Sequence, residues 1–115
     1  MRKITVETEL PKIEINGIEF QYRRSVGEIY WIGRDVLAKC AALDVSNEGA
    51  IIDALNLICM AIDDILGMGA VQKIMGGKPI SMSAALKLLN GIIEDCNARY
   101  TAYLRREYTG GGERA

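Results

Sequence analysis

The chain is expected to be mostly α with a small β element (α+β): an N-terminal β-hairpin followed by a compact bundle of three longer helices and one short helix. Three observations predict this. Apolar and polar residues alternate on either side of Asn16-Gly17. From about Val26 the apolar period becomes helical, and glycines at 67, 76 and 77 punctuate the second half of the chain. The 115 residues read as one domain over 1–108. It divides into a hairpin region (1–24) and a helical region (26–106), with a disordered tail over 109–115.

In the hairpin, Ile13 and Ile15 precede Asn16-Gly17, and Ile18, Phe20 and Tyr22 come after it. A two-residue type I′ turn needs positive φ at both central residues, which Asn-Gly accepts. That turn pairs Ile15 with Ile18 and Ile13 with Phe20, so all four share a face. It also opposes Glu14 and Glu19, a mildly unfavourable pair. Ile4 and Val6 are candidates for an earlier strand, set apart by Pro11.

The first helix spans about Val26 to Leu43, with Val26, Ile29, Gly33, Val36, Cys40 and Leu43 on one stripe. Ser46 or Asn47 caps the second, and Glu48 lies in its first turn. Its expected buried stripe is Ile52, Leu55, Cys59, Ile62 and Leu66, widened by Ile51, Ile58 and Ile65, with Gly67 as the stop. A short helix covers about Ala70 to Met75 and is ended by Gly76-Gly77 and Pro79. The last helix starts near Ser81 or Ser83 and runs to about Arg106. Its stripe would be Ala85, Leu89, Ile92, Cys96, Tyr100 and Tyr103, with Asp95 and Arg99 spaced for a helical ion pair.

Composition narrows the function classes. Half of the residues are hydrophobic, and 14 basic against 15 acidic residues give a net charge of −1. That balance argues against a nucleic-acid footprint, which needs clustered Lys and Arg. The three cysteines, Cys40, Cys59 and Cys96, are odd in number and widely spaced, so they read as buried free thiols rather than a disulfide framework. Histidine is absent, which removes the commonest general base and metal ligand. No secretory signal follows Met1-Arg2-Lys3, and no apolar run approaches the roughly 20 residues that span a bilayer. The expected location is the cytoplasm.

Two motifs invite chemistry and fail. Gly76-Gly77-Lys78 is followed by Pro79 where a phosphate loop needs Ser or Thr. Asp63-Asp64 are neighbours on a helix and point about 100° apart, so they do not converge on a cation; a solvated face is the expectation. No catalytic residue, cofactor or metal site is predicted. Two features suit partner binding instead. Trp31 points away from the stripe of its own helix, beside Gly27, Ala38 and Ala42; the alternative is that another part of the chain covers it. Met60, Met68, Met75 and Met82, four of the five methionines, fall close together and would form an adaptable apolar surface or fill core gaps.

The segment Ile62 to Gly77 reads I-D-x-x-L-G-x-G-A-x-x-x-I-x-G-G, preceded by the hairpin K-I-x-I-N-G-I-x-F-x-Y from Lys12 to Tyr22. Together with a final helix opening after Gly77-Lys78-Pro79, this order resembles small tail assembly chaperones of tailed bacteriophages and prophages of Gram-positive bacteria. The likeness covers roughly Ile13 to Tyr103; residues 26–50 carry no signature. The resemblance implies a non-enzymatic protein that binds the tape-measure protein, keeps it soluble in the host bacterial cytoplasm, helps recruit tail-tube subunits, and leaves before the tail is complete. It also implies short and frameshift-extended forms. It assigns no individual binding residue. Homo-oligomerisation along a long partner would add avidity. The competing expectation is a stand-alone helical adaptor or regulatory module of another bacterial system. Carboxylate-based metal chemistry and DNA binding rank below both.

Overall fold

The computed structural model of the chain describes residues 1–6, 9–44 and 46–113. Its elements run β1 (Lys12–Ile15), β2 (Ile18–Gln21), α1 (Val26–Ala41), α2 (Glu48–Leu66), α3 (Ala70–Met75) and α4 (Met82–Glu113). A two-stranded antiparallel hairpin thus leads into four helices, the α+β arrangement expected.

The hairpin has the anticipated register: Ile15 opposite Ile18, Ile13 opposite Phe20, Glu14 opposite Glu19. Asn16 and Gly17 take φ of 51° and 77°, as a type I′ turn requires. The Glu14–Glu19 repulsion is offset by Lys12, whose Nζ lies 3.3 Å from Glu19 Oε1. Phe20 and Tyr22 are buried, with Ile13, Ile15 and Ile18 packed against the core behind them. Ile4 and Val6 do not form a strand: residues 1–6 carry no secondary structure, and the two side chains are exposed. The β1 backbone they would have joined is already engaged, since Arg99 Nη2 donates to the Lys12 carbonyl at 2.7 Å.

Helix α1 opens on a capping box. Ser25 Oγ accepts from Glu28 N at 3.3 Å, and Ser25 N donates to Glu28 Oε1 at 3.2 Å. Ser25 Oγ also donates to Glu28 Oε1 at 2.9 Å, and that bond, then the one from Ser25 N, holds the Glu28 carboxyl below its ordinary range. The expected stripe holds, with Ile29, Gly33 and Val36 buried and Val26, Cys40 and Leu43 half-buried. Gly33 sits at the closest approach to α4: a Cβ there would lie 2.6 Å from both Cδ1 and Cγ1 of Ile93.

Helix α2 is capped by Asn47, whose Oδ1 accepts from Gly49 N at 2.9 Å. Its buried stripe differs from the expected one. The fully covered residues are Ala54, Ile58, Ala61, Ile62, Ile65 and Leu66, while Leu55 and Cys59 are half-buried and Ile51 and Ile52 are exposed. The core direction is fixed by Ile58 and Ile65, rotated from the Ile52–Cys59 line.

Gly67 ends α2 with φ 116°. The helix-end carbonyl of Ile65 is taken by Arg23 N at 2.7 Å, which ties the hairpin to α2. Helix α3 closes in a Schellman motif: Gly77 N donates to Gln72 O, Gly76 N to Lys73 O, and Gly76 has φ 62°. Asn16 Nδ2 donates to Ile74 O at 3.3 Å, so the hairpin tip rests on the same end.

Ser81 caps α4 through its Oγ, which accepts from Ala84 N at 3.1 Å. Ala85, Leu89, Ile92 and Cys96 are buried as expected, but Tyr100 is exposed. At 1.5 Å per residue, the 32-residue α4 is roughly twice as long as the 16-residue α1. Its later turns therefore outrun the bundle, and the stripe loses its cover there. The Tyr103 side chain lies outside the described residues. The helix continues past Arg106 to Glu113, over part of the tail expected to be disordered; residues 114 and 115 lie outside the described residues. Three glycines in its last turn (Gly110–Gly112) each cost roughly 1 kcal/mol relative to alanine, so this end is the weakest part of the helix. No buried side-chain polar atom among the described residues lacks a hydrogen-bond partner.

Candidate partner-binding surface

The side chain that the sequence singled out, Trp31, is 74% exposed. Neither the hairpin nor another helix covers it. It stands on the N-terminal half of α1, where Val26, Gly27 and Tyr30 face Asn97 and Tyr100 of α4 across a groove of about 390 Å³ with Cys96 at its floor. Tyr30 and Tyr100 are both exposed. The Arg34 guanidinium lies 5.8 Å from the centre of the Tyr30 ring, a cation–π contact that steadies the groove's rim. Ala38 and Ala42, expected beside Trp31, are exposed further along the same side of α1.

The methionines split into two pairs. Met60 and Met68 are exposed and border a hollow of about 630 Å³ with Arg23, Arg24, Asp63, Asp64 and Gly67. Met75 and Met82 are half-buried and pack against the core. The second pair lies outside the hollow: both fill gaps against the core, which an unbranched thioether does well, and Met75 also lines a separate groove beside the hairpin.

The tryptophan groove and the methionine hollow are continuous. A third depression, lined by Arg24, Gly27, Glu28, Trp31, Ile32 and Asp64, shares Trp31 with the first and the Arg24–Asp64 pair with the second. Arg24 Nη2 sits 2.8 Å from Asp64 Oδ1, and that hydrogen bond raises the arginine pKa further above its ordinary value. The result is one strip: Tyr100 and Trp31, then the neutralised Arg24–Asp64 pair, then Met60 and Met68.

The carboxylate pair Asp63-Asp64 also divides. Asp64 holds Arg24, as a solvated ion pair would. Asp63 turns the other way and is half-buried. It accepts from Val71 N at 3.0 Å and Gly69 N at 3.4 Å, satisfying backbone donors at the start of α3. Their divergence keeps them from sharing a cation. Among the described residues no group of three or more Cys, Asp or Glu is placed to hold a metal ion.

Beneath the surface, Tyr22 locks the hairpin to α4. Its hydroxyl donates to Asp95 Oδ2 at 2.6 Å, and Asp95 Oδ2 also accepts from Arg99 Nε at 2.8 Å, the expected helical pair. Burial, then the bond to Asp95, pushes the Tyr22 hydroxyl well above the ordinary tyrosine range. Burial likewise pushes the Cys96 thiol up to about 11 and raises Cys40 and Cys59. All three cysteines are free; Cys96 is buried, while Cys40 and Cys59 are half-buried rather than fully enclosed. Raised thiol pKa values leave little thiolate at neutral pH, which suits packing rather than nucleophilic chemistry.

Another apolar groove, about 390 Å³, lies between the hairpin (Ile13, Ile15), α3 (Ile74) and α4 (Leu88, Gly91). Among the described residues no helix is long and apolar enough to cross a membrane. Comparison with known proteins adds no relative: no family model, curated protein or solved structure matches this chain.

Sequence reasoning missed Tyr30 and Tyr100 as walls of the groove. Tyr100 lies close in helical phase to the buried Leu89 and Cys96, so periodicity alone gives it no different status. Its exposure is set by how far the neighbouring helices extend. Nor did the sequence separate Met60 and Met68 from Met75 and Met82. On α2 that distinction comes from the rotated core stripe, which leaves Met60 on the outer side.

Proposed function

We propose that this chain is a non-enzymatic tail assembly chaperone of the tailed-phage type, which binds the tape-measure protein and keeps it soluble in the bacterial cytoplasm until the tail is built. The likeness of Lys12–Tyr22 and Ile62–Gly77 to such proteins supports the reading. The observation that carries it is the exposed strip of Tyr100, Trp31, Met60 and Met68. A long tape-measure protein presents amphipathic helices with apolar stripes that aggregate when uncovered. A small domain bearing an aromatic and thioether strip covers such stripes without demanding one sequence, because Met adapts its shape and Trp supplies contact area. At the strip's centre the Arg24–Asp64 ion pair neutralises two of the charges, and the Glu28 carboxylate is turned into the Ser25 cap. Many copies along one partner add avidity to weak single contacts.

Co-expression with the long helical protein encoded alongside it tests this reading. The expected outcome is that the long protein moves to the soluble fraction and co-purifies with the chain. If it stays insoluble and uncaptured while another single protein co-purifies, the adaptor reading replaces the chaperone one.

A further inference from the structure

The exposed strip is large for a chain of this size. Trp31, Tyr100 and Tyr30 are 74%, 53% and 40% exposed, and Met60 and Met68 are 69% and 93% exposed. These five side chains leave on the order of 600 Å² in water, the upper end of the roughly 300–600 Å² patch that a monomer shows. Each side of a standard protein interface gives up roughly 800 Å². The strip alone supplies most of one such side.

The order of groups along the strip is self-complementary. Aromatic rings stand at one end, thioethers at the other, and the Arg24–Asp64 pair between them. The charged residues that line it are Arg23, Arg24, Glu28, Asp63 and Asp64, two basic and three acidic. That near balance selects neither a basic nor an acidic partner. The signs are also distributed: Glu28 lies on the Trp31 side of the central pair, and Arg23 on the methionine side. Asp63, also on the methionine side, is half-buried and accepts from the Gly69 and Val71 amides. An interface between two identical copies about a two-fold axis needs one patch that complements itself after half a turn. Half a turn about the Arg24–Asp64 pair lays rings on thioethers, Arg24 on Asp64, and Glu28 beside Arg23. Sulfur–aromatic contacts of this kind are favourable.

We propose that the free chain pairs with a second copy of itself, strip to strip, about a two-fold axis at the Arg24–Asp64 pair. The pairing covers the strip while no client is present, and the apolar stripe of a client competes for the same side chains. It differs from copies arrayed along a partner, because it hides the surface that would hold the partner. That the competitor is a tape-measure protein rests on the proposed function; the pairing does not. Two strips together bury roughly 1,200 Å², the low end of specific interfaces, where association is weak. A dissociation constant on the order of 10 μM follows, so the chain is a monomer at about 1 μM and mostly a dimer at about 100 μM. Melts at about 1 μM therefore read the monomer.

Sedimentation equilibrium of the full chain tests the proposal, with the emission of Trp31, the one tryptophan, read on the same samples. The mass is expected to double between about 1 and 100 μM, and the emission to move to the blue in step. Arg24→Asp removes only an exposed ion pair, so folding should change little. It puts like charges across the axis, so the dimer should weaken at least tenfold. The double variant R24D/D64R restores opposite charges across the axis and should pair with itself as the parent does. Mixed with tagged parent, it should be retained at least tenfold less than untagged parent, because like charges then meet at the centre.

A chain that stays monomeric at about 100 μM overturns the proposal. So does association that leaves Trp31 emission unmoved, undiminished pairing of Arg24→Asp, or free mixing of the double variant with the parent. The co-expression assay keeps the functional reading separate. Capture of the tape-measure protein by a chain that is monomeric alone overturns the pairing only. A dimer without capture leaves the pairing standing and overturns the tape-measure partner.

Discussion

The junction of the hairpin, α2 and α3 and the outer face of α1 and α4 are built on opposite plans. At the junction, polar groups are spent internally. Arg23 N satisfies the end of α2, Asn16 rests on the end of α3, Asp63 caps its start, and Gly76-Gly77 closes it. On the α1–α4 face the contact is apolar and close, centred on Gly33 against Ile93, and large side chains are left outside. The difference separates signature from surface. The segment Ile62–Gly77, which carries the resemblance to tail chaperones, is largely occupied in making its own turns. Trp31, the most prominent exposed side chain of α1, comes from residues 26–50, which carry no signature.

Breaking the α1–α4 seam should have the largest effect. In Gly33→Leu the first added carbon would lie 2.6 Å from two atoms of Ile93, in a place where both backbones are held by their helices. Overpacking of this kind costs roughly 1–3 kcal/mol, and a leucine belongs at the upper end or beyond. For a domain of this size that is a Tm loss on the order of 10 °C. Gly33→Ala should lose less, because Ile93 is half-buried and has room to turn, and alanine favours the helix. Thermal melts of the two variants read the seam directly; a Gly33→Leu protein as stable as the parent would refute close packing at this point.

The junction should answer more mildly, because its bonds are several. Asp63→Ala removes the acceptor for Val71 N and Gly69 N, and loss of a helix cap costs about 1 kcal/mol, in the range 0.5–2. The expected readouts are a Tm loss of roughly 4–8 °C and faster hydrogen exchange at the Val71 amide. Asp64→Ala, one residue on, removes only an exposed ion pair and should cost less than about 1 kcal/mol. Equal costs at the two positions would mean that Asp63 is not a cap.

The contrast also explains what could be read in advance. The hairpin was legible to the register, because a two-residue Asn-Gly turn and the alternation of Ile13, Ile15, Ile18 and Phe20 independently fix the same pairing. The bounds of α3 were legible because glycines enclose it. The stripe of α2 was not. Its apolar residues occupy most of the circumference, so periodicity leaves the core direction undetermined, and packing against α1 and α4 chose Ile58 and Ile65 over Ile52. The roles of Asp63 and Asp64 were equally hidden, since each is settled by a group distant in sequence or beyond a turn: Arg24 for Asp64, the α3 amides for Asp63. Of the candidate surface, Trp31 was legible from one helix alone. Its neighbour Tyr100 was not, because its exposure depends on where a different helix begins.

The smallest expected effect on folding is at Trp31 itself. Its side chain is mostly in water, so Trp31→Ala removes little buried area and should change stability by no more than about 0.5 kcal/mol, the range typical of surface positions. The same truncation takes the largest aromatic wall from the groove and should weaken partner capture by tenfold or more, as loss of an interface anchor does. Melting and capture must therefore be measured on one preparation. A variant that melts with the parent and no longer captures places Trp31 on the working surface. A Tm loss as large as that of Gly33→Leu would show that the indole supports the α1–α4 seam, and the division between internal seam and outer strip would fail at its central residue.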